Sequence, residues 1–290
     1  MSQRWPVRIA PESDELLSSW LLRLGFANGL APRDFGRVLG FHPGKWPRRL
    51  DLNVPEVLGE MLRARAGLSS SDLTRLCLPE GSQRALLLPL RCDLPSGRQA
   101  KFMAAWLQFC PRCLAEDGQP YFRRTWRSAT AVICLKHQCR LLDRCEDCGQ
   151  AIGAFNHLIL RPQHICATCS RDLRRSCAPR LEPVASRAAI KLLYLGQAAS
   201  SREGLAGSLL RLPRRLMEPR HRSLAQLSSV ERARGLTELS GAIDKLFQRS
   251  QSCASPLPQS ARPRPLRGAE LDDLFRAYSA TRREASSLKS

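Results

Sequence analysis

Apolar side chains recur at helical spacing through most of this 290-residue chain and lose that rhythm in its middle. In "DELLSSWLLRLGFANGL", Leu16, Leu17, Trp20, Leu21 and Leu24 share one helical face. Ser13 or Asp14 stands where an N-cap belongs, and Asn28-Gly29 supplies a stop. "APRDFGRVLGF" restarts a helix at Pro32, whose fixed φ suits the first helical position. Phe35, Val38 and Leu39 form its apolar side, with Arg33 and Arg37 on the other. Helix, glycine-containing turn and helix read as a helix-turn-helix. Two more short helices are predicted in "VPEVLGEMLRARAG" and "SSSDLTRLCL", the second capped by Ser69 or Ser70. Beyond Pro183, "VASRAAIKLLYLGQAA" and "LSSVERARGLTELSGAIDKLFQR" are strongly amphipathic and flank a weaker helical stretch, "EGLAGSLLRLPRRLM".

The non-helical middle holds nine of the twelve cysteines, with Phe102, Trp106, Phe109, Tyr121, Phe122 and Trp126 clustered at its entry. The expected organisation is a helical domain at 1–101, a cysteine-rich region at 102–180 and a helical domain at 181–249. A Pro/Ser/Arg-rich linker at 250–268 and a short helix or tail at 269–290 complete it. No apolar run approaches the roughly 20 residues that span a bilayer, and the first residues lack a signal-peptide pattern. The reading is a cytoplasmic protein with no membrane partner.

A reducing compartment changes the meaning of the cysteines, because thiols there hold metals more often than they form disulfides. Cys110-x2-Cys113 is followed by Cys134-x2-His137, and Cys145-x2-Cys148 by Cys166-x2-Cys169. Pair, spacer and pair is the arithmetic of a zinc ribbon, in which two tight turns close one tetrahedral site. Pro111 and Gly149 suit such turns. The eight residues therefore predict two structural Zn2+ per chain, each with four protein ligands and no open position for water. Cys139 competes with His137 for the first site but needs a wider turn from Cys134, and His164 competes less simply for the second. Cys77, Cys92, Cys177, Cys253 and His157 are read as ordinary side chains. The fold class expected is mainly α with small β zinc ribbons.

Net charge is +20, from Lys+Arg 46 against Asp+Glu 26, and all but six of the basic residues are arginine. Such an excess, spread along the chain, suits a polyanionic partner. Arg33, Arg37, Lys45, Arg48 and Arg49 are the candidate nucleic-acid contacts of the first domain. Metal binding moderates the picture: two centres of this composition would lower +20 to +17, with the whole loss in the middle region. Catalysis is not expected. Strand transfer needs clustered carboxylates around two metals, whereas the acidic residues are sparse and mostly in surface pairs such as Asp272-Asp273. Neither a phosphate-cradling GKS/GKT loop nor a Ser/His/Asp order is present.

The order of motifs carries a resemblance. "PESDELLSSWLLRLGFANG", then "CPRCLAED", then "PYFRRTWRSATAVICLKHQCRLLDRCEDCG" closely resembles the TniQ/TnsD family of transposition target-selection proteins, from about residue 6 to 170. The resemblance implies an amino-terminal helix-turn-helix, two zinc ribbons whose ligands are the eight residues above, and a variable helical carboxy-terminal part. It implies a non-catalytic adaptor that recognises a DNA site or a guide-RNA effector complex and recruits an AAA+ ATPase transposition regulator. Trp126 would be a core anchor rather than a binding platform. A homodimer is left open, and a zinc-containing DNA-binding transcription regulator is the alternative.

Overall fold

The first helix, α1 (Leu17–Ala27), buries Leu17, Trp20, Leu21 and Leu24 as its spacing requires. It ends at Asn28, and Gly29 follows with φ 71°, a left-handed turn that glycine adopts without strain. Its start departs from expectation. The N-cap is Leu16, with no side-chain cap, because Asp14 turns away at φ 56° and spends its carboxylate elsewhere. Helix α2 (Pro32–Val38) opens on its proline and buries Phe35 against Gly25 of α1. Val38, expected on the apolar side, is instead 39% exposed.

Helix α3 (Glu56–Met61) runs into a wider turn, Leu62–Ala66, that Gly67 closes at φ 75°. Helix α4 (Ser70–Leu76) is capped by Ser69, whose hydroxyl accepts the Asp72 N–H while the Asp72 side chain accepts from Ser69. The described residues are 4–41, 46–47, 49–79, 81–89, 107–153, 159–199, 201–202, 204–216 and 223–252 of a computed structural model. Lys45, Arg48, Cys92, Phe102, Trp106, His157, Cys253, the expected linker from 253 onward and the final helix lie outside them.

The middle region contains α5 (Pro111–Glu116) and a two-stranded antiparallel ribbon, β1 (Ile133–Cys134) with β2 (Cys139–Arg140). Phe109 and Leu142 exchange backbone bonds at 2.8 and 2.9 Å and hold α5 against the ribbon. Three helices follow: α6 (Pro183–Ala198), α7 (Leu205–Leu216) and α8 (Ser229–Ser252). The described residues are thus mostly helical with one small sheet, and none of the described helices is long and apolar enough to cross a membrane.

Met1–Gln248 forms one compact unit, and Arg249–Ser290 a second. Within the first, three apolar clusters interlock. Leu17 belongs to the amino-terminal cluster and its neighbour Leu16 to that of the cysteine region. Leu86, Leu88, Val132 and Ile133 pack with α6, α7 and α8. Close approach fixes the last joint: a Cβ at Gly196 of α6 would stand 2.1 Å from Thr130 Oγ1.

Polar links reinforce these joints. Asp14 accepts the Thr125 hydroxyl at 2.7 Å and its N–H at 3.2 Å, while its carbonyl takes the Arg124 N–H at 2.7 Å. Asp51, buried, accepts the Ser18 N–H and hydroxyl at 2.7 and 3.0 Å. Burial raises its pKa, and the charge of Arg127 pulls it back down. Asp143 accepts the Ser229 N–H at the start of α8 at 2.7 Å. Buried Arg232 reaches back from α8 to Gln108 at 2.8 Å and to the Leu227 carbonyl.

Candidate metal centres

Four short turns position the sulfurs. Cys110 is the N-cap of α5, and its Sγ accepts the Cys113 N–H at 3.5 Å. The other three turns share one geometry. Gln138, Gly149 and Ser170 return their N–H groups to the carbonyls of Cys134, Cys145 and Cys166 at 2.8, 3.0 and 3.1 Å. All three stand at positive φ, 50°, 67° and 65°. A left-handed residue four places after the leading cysteine is what tightens each knuckle.

The eight predicted residues gather into two groups of four, and within each group the donor atoms all lie within 4.8 Å of one another. In the first, His137 Nδ1 is 3.4, 3.3 and 3.6 Å from the sulfurs of Cys110, Cys113 and Cys134, and Cys113 and Cys134 are 3.6 Å apart. A tetrahedral zinc sets sulfurs about 3.8 Å apart and sulfur about 3.6 Å from nitrogen, given bonds near 2.3 and 2.1 Å. In the second, Cys145–Cys169 and Cys148–Cys166 are 3.5 and 3.7 Å. Both donor sets fit, and each cluster can hold one zinc ion.

Protonation argues the same way. Crowded thiols cannot all ionise unaided, so the protons redistribute. Cys110 falls below the ordinary thiol value, held by hydrogen bonds from Cys113 and then from Cys134 and Cys139. Cys113 and Cys139 rise, chiefly through their bonds to Cys110. In the second cluster, burial pushes Cys145 up to about 12. Backbone hydrogen bonding to Arg171, the largest of several influences, leaves Cys169 lowered. A cation at the centre is what lets such a group lose its protons together.

The clusters differ in exposure. Cys110, Cys113 and Cys134 are buried, whereas Cys148 is half-buried and Cys169 exposed.

Two neighbours adjoin the first group, and spacing singles out only the second of them, as a competitor for the site. Glu116, at the end of α5, holds His137 Nε2 at 2.8 Å and Lys136 Nζ at 2.6 Å. That contact fixes the tautomer: Nε2 carries the proton and Nδ1 presents its lone pair to the sulfurs. The acidic side chain in "CPRCLAED" was the available signal. The second neighbour is Cys139, whose Sγ is 3.6 Å from Cys110 Sγ although it lies outside the four.

The remaining candidates separate. His164 is buried with its Nδ1 unpartnered and stands outside the second group. Trp126 is buried edge-on to Phe122, at 6.2 Å between ring centroids, while the Arg123 guanidinium lies 4.3 Å over Tyr121 and 4.7 Å over Trp126. Arg33, Arg37 and Arg49 are exposed, and Arg37 pairs with Asp34 at 3.3 Å. The structure brings none of these three to the metal clusters.

Residues 6–141 match the model of the TniQ family. A TniQ domain occupies that segment, a little under half of the chain. The TniQ match ends at Leu141, so it takes in the whole first cluster and none of the second. No curated protein matches the chain.

Proposed function

We propose that this TniQ protein is a non-catalytic target-selection adaptor of a DNA transposition system. In this reading it joins a DNA target or guide-RNA effector complex to an AAA+ ATPase regulator, in the cytoplasm. The TniQ domain over 6–141 is the observation that carries it. The eight Cys and His residues each bind zinc structurally, four to an ion. The helices α1 and α2 act as a helix-turn-helix, with Arg33, Arg37, Lys45, Arg48 and Arg49 meeting phosphate. Segments 1–101, 102–180 and 181–249 serve as recognition, scaffold and docking parts.

The internal use of acidic residues supports the non-enzymatic part. Asp14, Glu15, Asp51 and Asp143 are engaged with Thr125, Arg23, Ser18 and Ser229. Carboxylates committed this way are not poised around a pair of divalent ions.

The test is reconstitution. Purified chain, a cognate AAA+ ATPase and DNA should form a complex that neither the chain nor the ATPase forms alone, and deletion should abolish targeted insertion. Site-specific DNA binding with unimpaired transposition after deletion would favour the transcription-regulator alternative instead.

A further inference from the structure

Cys139 sits on β2 directly opposite Cys134 of β1 and is fully buried. Its Sγ approaches Cys110 Sγ to 3.6 Å, yet it is not among the four mutually close donors. It therefore touches the first cluster from outside and at one sulfur.

The cluster it touches is a buried anion. Three thiolates and a neutral imidazole around a divalent ion leave a charge of −1, and the three sulfurs belong to residues only 0, 3 and 6% exposed. A charge so placed requires donors aimed at it, because water cannot supply them. His137 directs its remaining N–H outward to Glu116. Cys110 receives the Cys113 N–H at 3.5 Å, and Cys134 a backbone hydrogen bond from His137. The second cluster offers the contrast: four thiolates leave −2, but Cys169 is exposed and water can reach it.

The geometry points to Cys139 as a positioning residue: its neutral thiol donates S–H to the Cys110 sulfur, spreading that sulfur's charge and fixing its direction toward the metal. This rests on Cys110, Cys113, Cys134 and His137 forming one centre.

Cadmium-113 NMR of the cadmium-loaded full chain reads each centre separately, because four-sulfur and three-sulfur-one-nitrogen environments resonate apart. Cys139→Val retains an apolar side chain without the donor, Cys139→Ala is the second such variant should Val disturb folding, and Cys139→Ser keeps a donor. Without the donor, the three-sulfur resonance should move while the four-sulfur resonance stays. Chelator competition should find the first centre's affinity about 10- to 100-fold weaker. Cys139→Ser should restore both toward the wild-type values. An unmoved resonance and affinity in Val and Ala variants would overturn the proposal, and so would a Ser variant as weak as they are. Two four-sulfur resonances in the wild type would also overturn it, since Cys139 would then replace His137 as ligand. Fewer than two cadmium ions per wild-type chain would refute the ligand assignment itself, and the proposal with it.

Discussion

Gly196→Ala isolates the joint between the ribbon region and α6, and two effects of opposite sign compete there. In an unobstructed helix, replacing glycine by alanine gains about 1 kcal/mol from backbone propensity. At Gly196 the new Cβ would stand 2.1 Å from Thr130 Oγ1, 2.9 Å from its Cβ and 3.0 Å from its Cγ2. Thr130 is 1% exposed and its Oγ1 is tied to Ser128 Oγ at 2.8 Å, so the side chain has nowhere to swing. Its Cβ moves only with the backbone. Overpacking of this kind costs about 1–3 kcal/mol and occasionally more.

With an overlap this deep the upper part of that range applies, and the expected net loss is about 1–2 kcal/mol after the propensity gain. For a chain of this size that corresponds to a Tm lower by about 2–8 °C. Gly241, in α8, is the internal control: a Cβ there meets nothing within 4 Å. Thermal unfolding of the zinc-loaded chain should therefore show Gly196→Ala destabilised and Gly241→Ala stabilised. Adding Thr130→Ala should return part of the loss, because it removes Oγ1 and Cγ2. A rise in Tm for Gly196→Ala comparable to that for Gly241→Ala would refute the packing argument.

Other outcomes follow from the same contacts. Gln138→Gly and Ser170→Gly should each stabilise by up to about 1 kcal/mol in chemical denaturation, because both residues hold the left-handed backbone region at φ 50° and 65°. Arg23→Met should cost about 3–5 kcal/mol by leaving Glu15 charged and buried, since the two meet at 2.6 Å with side chains 8% and 0% exposed. Chelator-driven zinc release, followed with a chromophoric indicator, should be biphasic. The faster phase should come from the more exposed second centre, so Cys145→Ser should abolish it and leave the slow one. Glu116→Gln should weaken the first centre about 10-fold in chelator competition by removing the carboxylate that orients His137.

The periodic parts of the chain were readable because burial of an apolar face is a local property of sequence. Leu17, Trp20, Leu21 and Leu24 needed no knowledge of what covers them. The grouping of the eight Cys and His residues was readable for a similar reason: two residues between cysteines already specify a turn. Asp14 shows where such reading stops. Its position suggested a helix cap, but its partners Arg124 and Thr125 lie 110 and 111 residues away. Nothing local distinguishes a cap from a long-range clasp. Val38 fell outside the core because the buried face of α2 runs through Phe35 and Leu39, which leaves Val38 at its solvent edge. Glu116 stood in plain sight in "CPRCLAED", but a carboxylate three residues after Cys113 gains meaning only once His137 is folded beside it.

The clasps and the clusters together give the ribbons a role beyond holding themselves together. Leu16 N–H bonds the Phe122 carbonyl at 2.9 Å, and Phe122 N–H returns to Ser19 Oγ at 2.9 Å, so the entry of α1 is laid along the chain between Cys113 and Cys134. Gln163, between Cys148 and Cys166, donates to the same Ser19 hydroxyl at 3.0 Å. Both loops that the metals would close therefore grip one turn of α1. On the other side, Asp143 and Gln108 hold the first two turns of α8 through Ser229 and Arg232. The proposed adaptor role, with one surface for a target and another for a partner, calls for a fixed angle between them. Between α1 and α8 the angle is set by Phe122 and Gln163, within the two cysteine loops, and by Gln108 and Asp143, which flank the first of them. The cysteine-rich region is thus better understood as the joint that orients α1 and α8 than as a third surface of its own.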